Sequence, residues 1–137
     1  MKGEVKMTLS DETKQKIYED FEKCKDAMYG TLTEKERKKL GAFYTPPQLV
    51  IKMIEKFENL EGDICDPCCG NGLLLSGCII AGADPKRCYG IELDENQAQL
   101  CRERLSSYGV PPENIVSGDC LDNNTWQKLP CYEKGVN

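Results

Sequence analysis

Residues 63–72 read DICDPCCGNG, a short apolar segment followed by a turn that contains two glycines. The apolar part has the length of a buried strand, and the acid Asp66 ends it. Gly70 and Gly72 allow a sharp turn and the close approach of a ligand, because neither carries a Cβ atom. The apolar residues that follow predict a helix whose free N–H groups and positive dipole end point towards the same turn. This stretch therefore predicts a strand, a ligand-binding turn and a helix, in that order.

Strands and helices continue to alternate after this stretch. Apolar segments and helix caps predict strands at 63–66, 87–91 and 114–117, with helices at 73–81 and 94–108 between them. Strand–helix–strand–helix–strand at this spacing is typical of a parallel sheet. We therefore predict the α/β class, with a sheet of three parallel strands.

Three helices are predicted before the sheet. Ser10 is a candidate N-cap for a helix over 11–28, and Thr33 with Glu36 forms a capping box for a short helix to residue 39. Thr45 as N-cap, with Pro46 at the first helical position, predicts a third helix that ends near Glu58. The buried side of the third helix is expected to consist of Leu49, Val50, Met53, Ile54 and Phe57.

The chain is expected to divide into three segments. Residues 1–42 form the N-terminal helical segment, residues 43–121 a ligand-binding domain, and residues 122–137 a polar, weakly structured tail. A length of 137 residues is that of one ordinary domain. No apolar run reaches the length of a membrane span, and residues 1–10 lack the apolar core of a secretion signal. We expect a cytoplasmic protein that does not contact membranes.

Charge and residue usage exclude several kinds of site. The chain contains no histidine, which excludes catalytic triads and imidazole metal ligands. Its net charge is −5, and residues 61–137 hold 12 acidic but only 6 basic side chains. A nucleic-acid binder usually presents a basic face to the phosphates, so contact with DNA must come from a local patch or from another chain.

The nine cysteines are expected to be free thiols. A reducing compartment keeps thiols free, and most of these cysteines fall on apolar faces, where Cys acts as a small hydrophobic residue. Cys65, Cys68 and Cys69 form one C-x-x-C-C cluster, but no second C-x-x-C pair follows to complete a zinc site. We predict no metal site, and structural zinc stays the alternative.

Acids lie at the ends of all three predicted strands. Asp66 ends the first, Glu92 lies at the end of the second and Asp119 at the end of the third, and Glu92 lies 22 residues after Gly70, where ribose-binding acids are expected. A dinucleotide fingerprint would have a third glycine at residue 75, which is Leu75. An acid before the glycines would repel a pyrophosphate but attract an amino acid's ammonium group. S-adenosylmethionine (SAM) carries adenosine at one end and an amino acid at the other, so it fits best; a plain strand–helix turn is the alternative.

Four short motifs, taken together, resemble the SAM-dependent adenine-N6 DNA methyltransferases, known from restriction-modification systems. The resemblance covers roughly residues 41–121 and implies their Rossmann-like methyltransferase fold with a truncated sheet. The order of the motifs is similar to that of the subclass in which the N-terminal cofactor motif precedes the glycine motif. The four motifs are GAFYTPP at 41–47, DPCCGNG at 66–72, IELD at 91–94 and GDCL at 118–121.

The resemblance implies a role for each matching residue. Thr45 and the adjoining helix start would hold the methionine carboxylate of SAM, and Asp66 its amino group. Glu92 would bind the ribose hydroxyls and Asp119 the adenine amine, with Cys120 and either Ile91 or Leu93 beside the ring. The full set of expected cofactor-binding residues is Tyr44, Thr45, Asp66, Pro67, Cys68, Gly70, Asn71, Gly72, Glu92, Leu93, Asp119 and Cys120.

The sequence departs from the family at the catalytic motif. That motif, a polar residue followed by two prolines and an aromatic residue, should come soon after Asp119, and Pro130 stands alone there. We therefore assign no catalytic residue and expect this chain alone to be inactive. Contact with DNA and the catalytic motif would come from another chain or a longer form. A SAM-binding or partner-binding module and a methyltransferase subunit for RNA or protein glutamine are the alternatives.

The expected sheet leaves one strand edge open. In the full fold the first strand pairs with a fourth strand, which this chain lacks, and parallel edges are seldom left unpaired. We expect a second copy, a partner chain or a rearranged tail to cover Ile64 and Cys65.

Overall fold

The computed structural model describes residues 6–29, 33–36 and 45–132. The chain divides into two compact units, Met1–Asn59 and Leu60–Asn137. The helix that begins at Pro47 lies in the first of these units. None of the helices in the described part of the chain is long and apolar enough to cross a membrane.

The first unit contains the helices α1 (Asp11–Tyr29) and α2 (Pro47–Ile54). The predicted N-cap of α1 is confirmed, since the Thr13 N–H donates to Ser10 Oγ over 3.1 Å. The predicted capping box is also present. Thr33 N–H donates to Glu36 Oε2 over 3.1 Å, and Glu36 N–H to Thr33 Oγ1 over 3.2 Å. Residues 34–36 are helical, while the rest of that predicted helix lies outside the described residues.

The predicted start of α2 is wrong by one residue. Pro46, and not Thr45, is the N-cap, with an extended backbone at φ −66° and ψ 152°. The cause is Pro47, because a proline disfavours helical geometry in the residue before it. The helix also ends earlier than predicted, at Ile54, and its buried residues are Pro47, Val50, Ile51 and Ile54. Leu49, Met53 and Phe57, predicted to be buried, are exposed.

The second unit is built on a sheet of three parallel strands, as predicted. The strands β1 (Ile64–Asp66), β2 (Cys88–Glu92) and β3 (Ile115–Ser117) lie in the order β1-β2-β3. Asp66 is level with Gly90, and Glu92 with Ser117. Helices α3 (Leu73–Ile80) and α4 (Glu95–Ser106) connect the strands, and short 3₁₀ turns at Pro85–Arg87 and Pro112–Asn114 lead into β2 and β3. Because the strands are parallel, the acids predicted at their ends share one edge of the sheet.

The sheet buries both of its faces. Tyr89 and Ile91 of β2 point to one side, where they pack with Val116, Leu129 and Cys131. The residues between them point the other way, as the alternation of a strand requires. On that second side α3 and α4 pack against the strands. Their buried residues there include Leu75, Cys78, Ala98, Cys101 and Leu105.

The described part of the tail is ordered structure. A one-turn helix, α5 (Asn123–Trp126), begins after Asp122, whose side chain accepts from the Asn124 N–H. Leu129 is 2% exposed and packs with Cys131 against β2 and β3. The sequence predicted a weakly structured tail here because its apolar residues are too few and too widely spaced to show a periodic pattern.

Candidate functional site

The turn after β1 is held by hydrogen bonds on both sides. Cys68 N–H donates to Asp66 Oδ1 over 3.1 Å, so the acid folds the turn that follows it. Cys69 N–H donates to the Ile91 carbonyl of β2 over 2.9 Å, which ties the turn to the neighbouring strand. Gly70 has a φ of +53°, a conformation that residues with a Cβ atom seldom adopt. The turn is therefore a fixed feature of the sheet edge.

Gly72 connects this turn to α3 and needs to be a glycine for two reasons. Its φ is +83°, and a Cβ atom there would lie 2.8 Å from Leu105 Cδ1 and 3.0 Å from Cys101 Sγ. The turn thus packs directly on α4. The predicted need for glycine at this position has a structural cause that the sequence does not show.

Glu92, at the end of β2, forms hydrogen bonds to the turn after β1, to the start of α4 and to the residue after β3. Its Oε1 accepts from Gly70 N–H over 3.0 Å, and its Oε2 accepts from Asp94 N–H over 2.8 Å. Its carbonyl accepts from Gly118 N–H over 3.0 Å. Each carboxylate oxygen has a second acceptor site, so Glu92 can bind hydroxyl groups while it holds the glycine turn.

Asp119 lies beyond β3 and is exposed. Its Oδ1 accepts from Leu121 N–H over 2.9 Å, which shapes the loop that leads to α5. The next residue, Cys120, is fixed from the tail, since Trp126 Nε1 donates to its carbonyl over 2.7 Å. The Cys120 sulfur lies 4.0 Å from the Cys68 sulfur, so the loops after β1 and β3 meet at this edge.

The electrostatic environment favours a cation at Asp66. Burial raises the pKa of the Asp66 carboxyl above its ordinary value, the Cys68 N–H lowers it in part, and the charge of Glu92 raises it again. A cation beside Asp66 would relieve both causes of the increase. The acids at this edge therefore form a site that attracts positive charge.

Two residues that support the site were missed by the sequence analysis. Gly90 in β2 leaves room for the turn, because a Cβ atom there would lie 2.7 Å from Cys69 Sγ. Arg104 on α4 donates from Nε to the Asn71 carbonyl over 2.8 Å and from a terminal nitrogen to Ser76 Oγ over 2.8 Å. A glycine inside a strand is a signal for close backbone approach, but the contact of Arg104 has no signal in the sequence.

The predicted cofactor-binding residues fall into three groups. Ten lie in the second unit, at or next to the carboxyl ends of its strands. Among these ten, Asn71 is buried, whereas Leu93 is 73% exposed. Thr45 lies in the first unit, before α2, and Tyr44 lies outside the described residues. The ten are Asp66, Pro67, Cys68, Gly70, Asn71, Gly72, Glu92, Leu93, Asp119 and Cys120.

The nine cysteines all lie in the described ranges and are free thiols. Within those ranges, no group of three or more Cys, Asp or Glu side chains is arranged to hold a metal ion. Burial raises the pKa of Cys78 and that of Cys65 to about 12. Both thiols therefore stay protonated at neutral pH.

Comparison with known proteins gives a consistent result. A family model described as N-6 DNA Methylase matches residues 5–134. The type II methyltransferase M.VspI of Vibrio sp. (strain 343) is 34% identical over 94 residues, which is 66% of this chain and 23% of that protein. The modification methylase CviBIII of Paramecium bursaria Chlorella virus NC1A is 34% identical over 108 residues, 74% of this chain and 25% of that protein. The chain thus spans about a quarter of the length of these relatives. No solved structure matches it significantly.

Proposed function

The chain belongs to the N-6 DNA methylase family, and we propose that it forms the SAM-binding part of a DNA adenine-N6 methyltransferase. The observation that carries this proposal is the placing of Asp66, Glu92 and Asp119 around a glycine turn at one edge of a parallel sheet. Ligands of open α/β sheets bind at that edge.

The charges at this edge fit SAM. The cofactor carries a sulfonium and an ammonium group, and both are attracted by the acids. Asp66, desolvated and close to the charge of Glu92, gains most from a neighbouring ammonium group. Glu92 offers its remaining acceptor sites to the ribose hydroxyls, and Asp119 offers its exposed carboxylate to the adenine amine. These assignments support SAM as the cofactor over a dinucleotide.

Apolar residues beside Glu92 and Asp119 suit the adenine ring. Leu93 is exposed directly after β2, and Cys120 is half-buried after β3. We assign these two side chains to the faces of the ring. The role of Thr45 towards the methionine carboxylate stays a prediction from the family resemblance. Pro46 and Pro47 have no N–H group, so Gln48 supplies the first backbone donor of α2.

When bound, SAM supplies an electrophilic methyl group on its sulfonium sulfur. This chain's residues hold the cofactor at both ends and keep its orientation fixed, and such positioning supplies a large part of the catalysis of transfer reactions. We assign no catalytic group to this chain. Because it spans about a quarter of its relatives, we propose that methyl transfer to DNA requires residues of a longer form or a partner.

We propose that a partner binds along the unpaired side of β1, and not at the carboxyl ends of the strands. In the described part of the chain β1 pairs with β2 only, and its three residues are all half-buried. Open strand edges invite pairing with another chain. We propose that a second copy or a partner chain pairs with β1 in the cytoplasm, where the free thiols are kept reduced. Light scattering of the purified chain tests this, and a monomer at all concentrations would contradict the homodimer.

Calorimetry with SAM tests the cofactor assignment. We expect binding in the micromolar range, with a loss of at least about tenfold for Asp66→Asn, because the amide keeps the shape but loses the charge. Glu113→Gln is the matched control. It also removes one carboxylate, but from the 3₁₀ turn before β3, at the opposite edge of the sheet. No binding by the unmodified chain, or equal losses in both variants, would contradict the assignment.

A methyl-transfer assay on unmethylated DNA tests the proposal that this chain binds SAM while a longer form or a partner supplies the residues for methyl transfer. We expect no transfer by the chain alone and transfer to adenine N6 when the missing part is supplied. Transfer to RNA or to protein glutamine in place of DNA would support the alternative function, a methyltransferase subunit for one of those substrates. Efficient methylation of DNA by the chain alone would show that it contains a catalytic group we have not identified.

A further inference from the structure

Two thiols face each other across the proposed cofactor-binding edge. Cys68 lies in the turn after β1 and is exposed, whereas Cys120 lies after β3 and is half-buried. Their sulfur atoms are 4.0 Å apart although 52 residues separate them in the sequence. Both lie in turns and not within strands, and rotation of the two side chains can change the separation of their sulfur atoms.

We propose that Cys68 and Cys120 form a reversible disulfide that spans the cofactor-binding edge and weakens cofactor binding while it is present. A disulfide needs a sulfur separation of about 2 Å, so the two sulfur atoms must approach by roughly 2 Å through rotation of their side chains. The formation of the bond does not depend on the proposed function, but its effect on SAM rests on it.

The position of the pair explains why the bond would impede the cofactor. Cys68 comes two residues after Asp66, and Cys120 follows Asp119 directly. Glu92 ends β2, the strand that lies between the two strands after which these turns follow. A ligand that reaches from Asp66 to Asp119 must pass this point, and Cys120 is assigned to the adenine ring. Joining the two sulfurs would hold the Cys120 side chain against Cys68, where it could not pack on the adenine ring.

The reaction needs an oxidant of the peroxide class. The Cys68 thiolate attacks a peroxide oxygen, the O–O bond breaks, and a sulfenic acid forms while the departing hydroxide takes up the proton released by the thiol and leaves as the first water. The Cys120 thiolate then attacks the sulfenic sulfur, the S–O bond breaks, and the second water leaves. Two thiols and one hydrogen peroxide thus give one disulfide and two waters. A dithiol reductant reverses the change by exchange.

The groups around Cys68 determine how readily it is oxidised. Partial desolvation raises the pKa of the Cys68 thiol, and the neighbouring Cys120 thiol and the charges of Asp66 and Glu92 raise it further. These groups face Cys68 from the ends of all three strands. The thiolate fraction at neutral pH is therefore small, and we expect the rate of oxidation to rise with pH across the alkaline range.

A second pair of close thiols in the chain serves as a comparison. Cys69 and Cys101 also have close sulfurs, 3.9 Å apart, but both thiols are buried. A peroxide can reach Cys68 and not this second pair. We therefore expect oxidation to link 68 with 120 and to leave 69 and 101 reduced.

Peptide mapping of the full chain tests the bond. After exposure to hydrogen peroxide at mildly alkaline pH, remaining thiols are alkylated and the chain is cut with trypsin without reduction. The expected product joins peptide 57–86 to peptide 105–128, in which Cys120 is the single cysteine. Cys68→Ser and Cys120→Ser should each abolish it, whereas Cys65→Ser, in the same tryptic peptide as Cys68, should keep it. Absence of the linked peptide, or its survival in Cys68→Ser, would overturn the proposal.

Calorimetry with SAM tests the effect of the bond. We expect the linked chain to bind at least about tenfold more weakly than the reduced chain, with recovery after a dithiol reductant. Oxidant should leave the affinity of Cys68→Ser unchanged. An unchanged or tighter affinity in the fully linked chain would overturn the regulatory effect. A reduced chain that does not bind SAM would instead overturn the proposed function together with that effect, while the linked peptide would still decide whether the disulfide forms.

Discussion

The Glu92 carboxylate accepts a hydrogen bond from the Gly70 N–H over 3.0 Å, which joins the end of β2 to the glycine turn after β1. The same carboxylate accepts from Asp94 N–H at the start of α4. One side chain therefore fixes the turn and the helix start while its remaining acceptor sites stay open to a ligand. The proposed site is therefore organised by the chain's own hydrogen bonds.

Replacing Glu92 by Gln should weaken both folding and binding. The amide has one acceptor oxygen for two N–H donors, so one hydrogen bond to a charged group is lost, with a decrease of about 1.5–3 kcal/mol in the free energy of unfolding. Urea unfolding measures this decrease. Glu113→Gln, at an exposed position, should change it by less than about 0.5 kcal/mol. Equal stability of the two variants would contradict the role given to Glu92.

Gly72→Ala should destabilise the chain more than Gly62→Ala. The two glycines have nearly the same φ, +83° and +87°, so each change costs about 1–2 kcal/mol for the left-handed backbone. The new Cβ atom at 72 also meets Leu105 and Cys101, whereas no atom lies within 4 Å of the one at 62. We expect an additional loss of about 1–3 kcal/mol at Gly72 in urea unfolding. Equal losses would show that α4 moves away without cost.

The tail should contribute to stability through Leu129. It is 2% exposed, so Leu129→Ala should reduce the free energy of unfolding by about 2–5 kcal/mol. Leu121 lies directly before the tail and is 90% exposed, and its change to Ala should cost less than about 0.5 kcal/mol. Thermal or urea unfolding distinguishes the two. A small effect at Leu129 would mean that the tail does not pack on the sheet in solution.

Arg104 should be needed for cofactor binding, whereas Arg102 should not. Both lie on α4 and donate from Nε to a backbone carbonyl, Arg104 to Asn71 in the glycine turn and Arg102 to Ile115 in β3. Each change to Met should lower the free energy of unfolding by about 1.5–3 kcal/mol. Calorimetry at a temperature where both variants are folded should show a loss of about fivefold in SAM affinity for Arg104→Met only. Equal affinities would reject Arg104 as a positioning residue.

The pH dependence of stability should carry the signature of Asp66. Its pKa is higher in the folded chain than in the unfolded chain, so the folded chain binds this proton more tightly. The contribution of Asp66 to stability is therefore fully present below the ordinary pKa of aspartate and is lost as the pH rises through the higher, folded value. Asp66→Asn should be more stable than the unmodified chain at neutral pH, with the difference decreasing in acid. Urea unfolding at several pH values measures this, and a difference that grows in acid would contradict it.

Much of the second unit could be predicted from the sequence. An acid lies at or just after the end of each strand, the glycines mark the turn and Asp94 caps α4, and each of these signals depends on residues close together in the chain. At α2 the local signals competed. Thr45 and Pro46 formed a good N-cap pattern, but the effect of Pro47 on the preceding residue shifted the start by one position.

Other features have no local signal. Gly90 makes room for Cys69, Arg104 reaches Asn71, and Leu129 covers the sheet, and each contact joins residues that are distant in the sequence. The contact between the Cys68 and Cys120 sulfur atoms also joins residues that are distant in the sequence. Nine cysteines in a chain of this length could have been arranged in many ways.

The sequence alone determined the family, the succession of strands and helices along the chain, and the acids at or just after the strand ends, because glycine, proline and hydrophobic spacing act over a few residues. Only the tertiary structure decided which face of the sheet the tail covers, how α4 supports the glycine turn, and that two thiols meet at the edge. Those outcomes depend on side-chain packing between segments that the chain brings together after the local elements have formed.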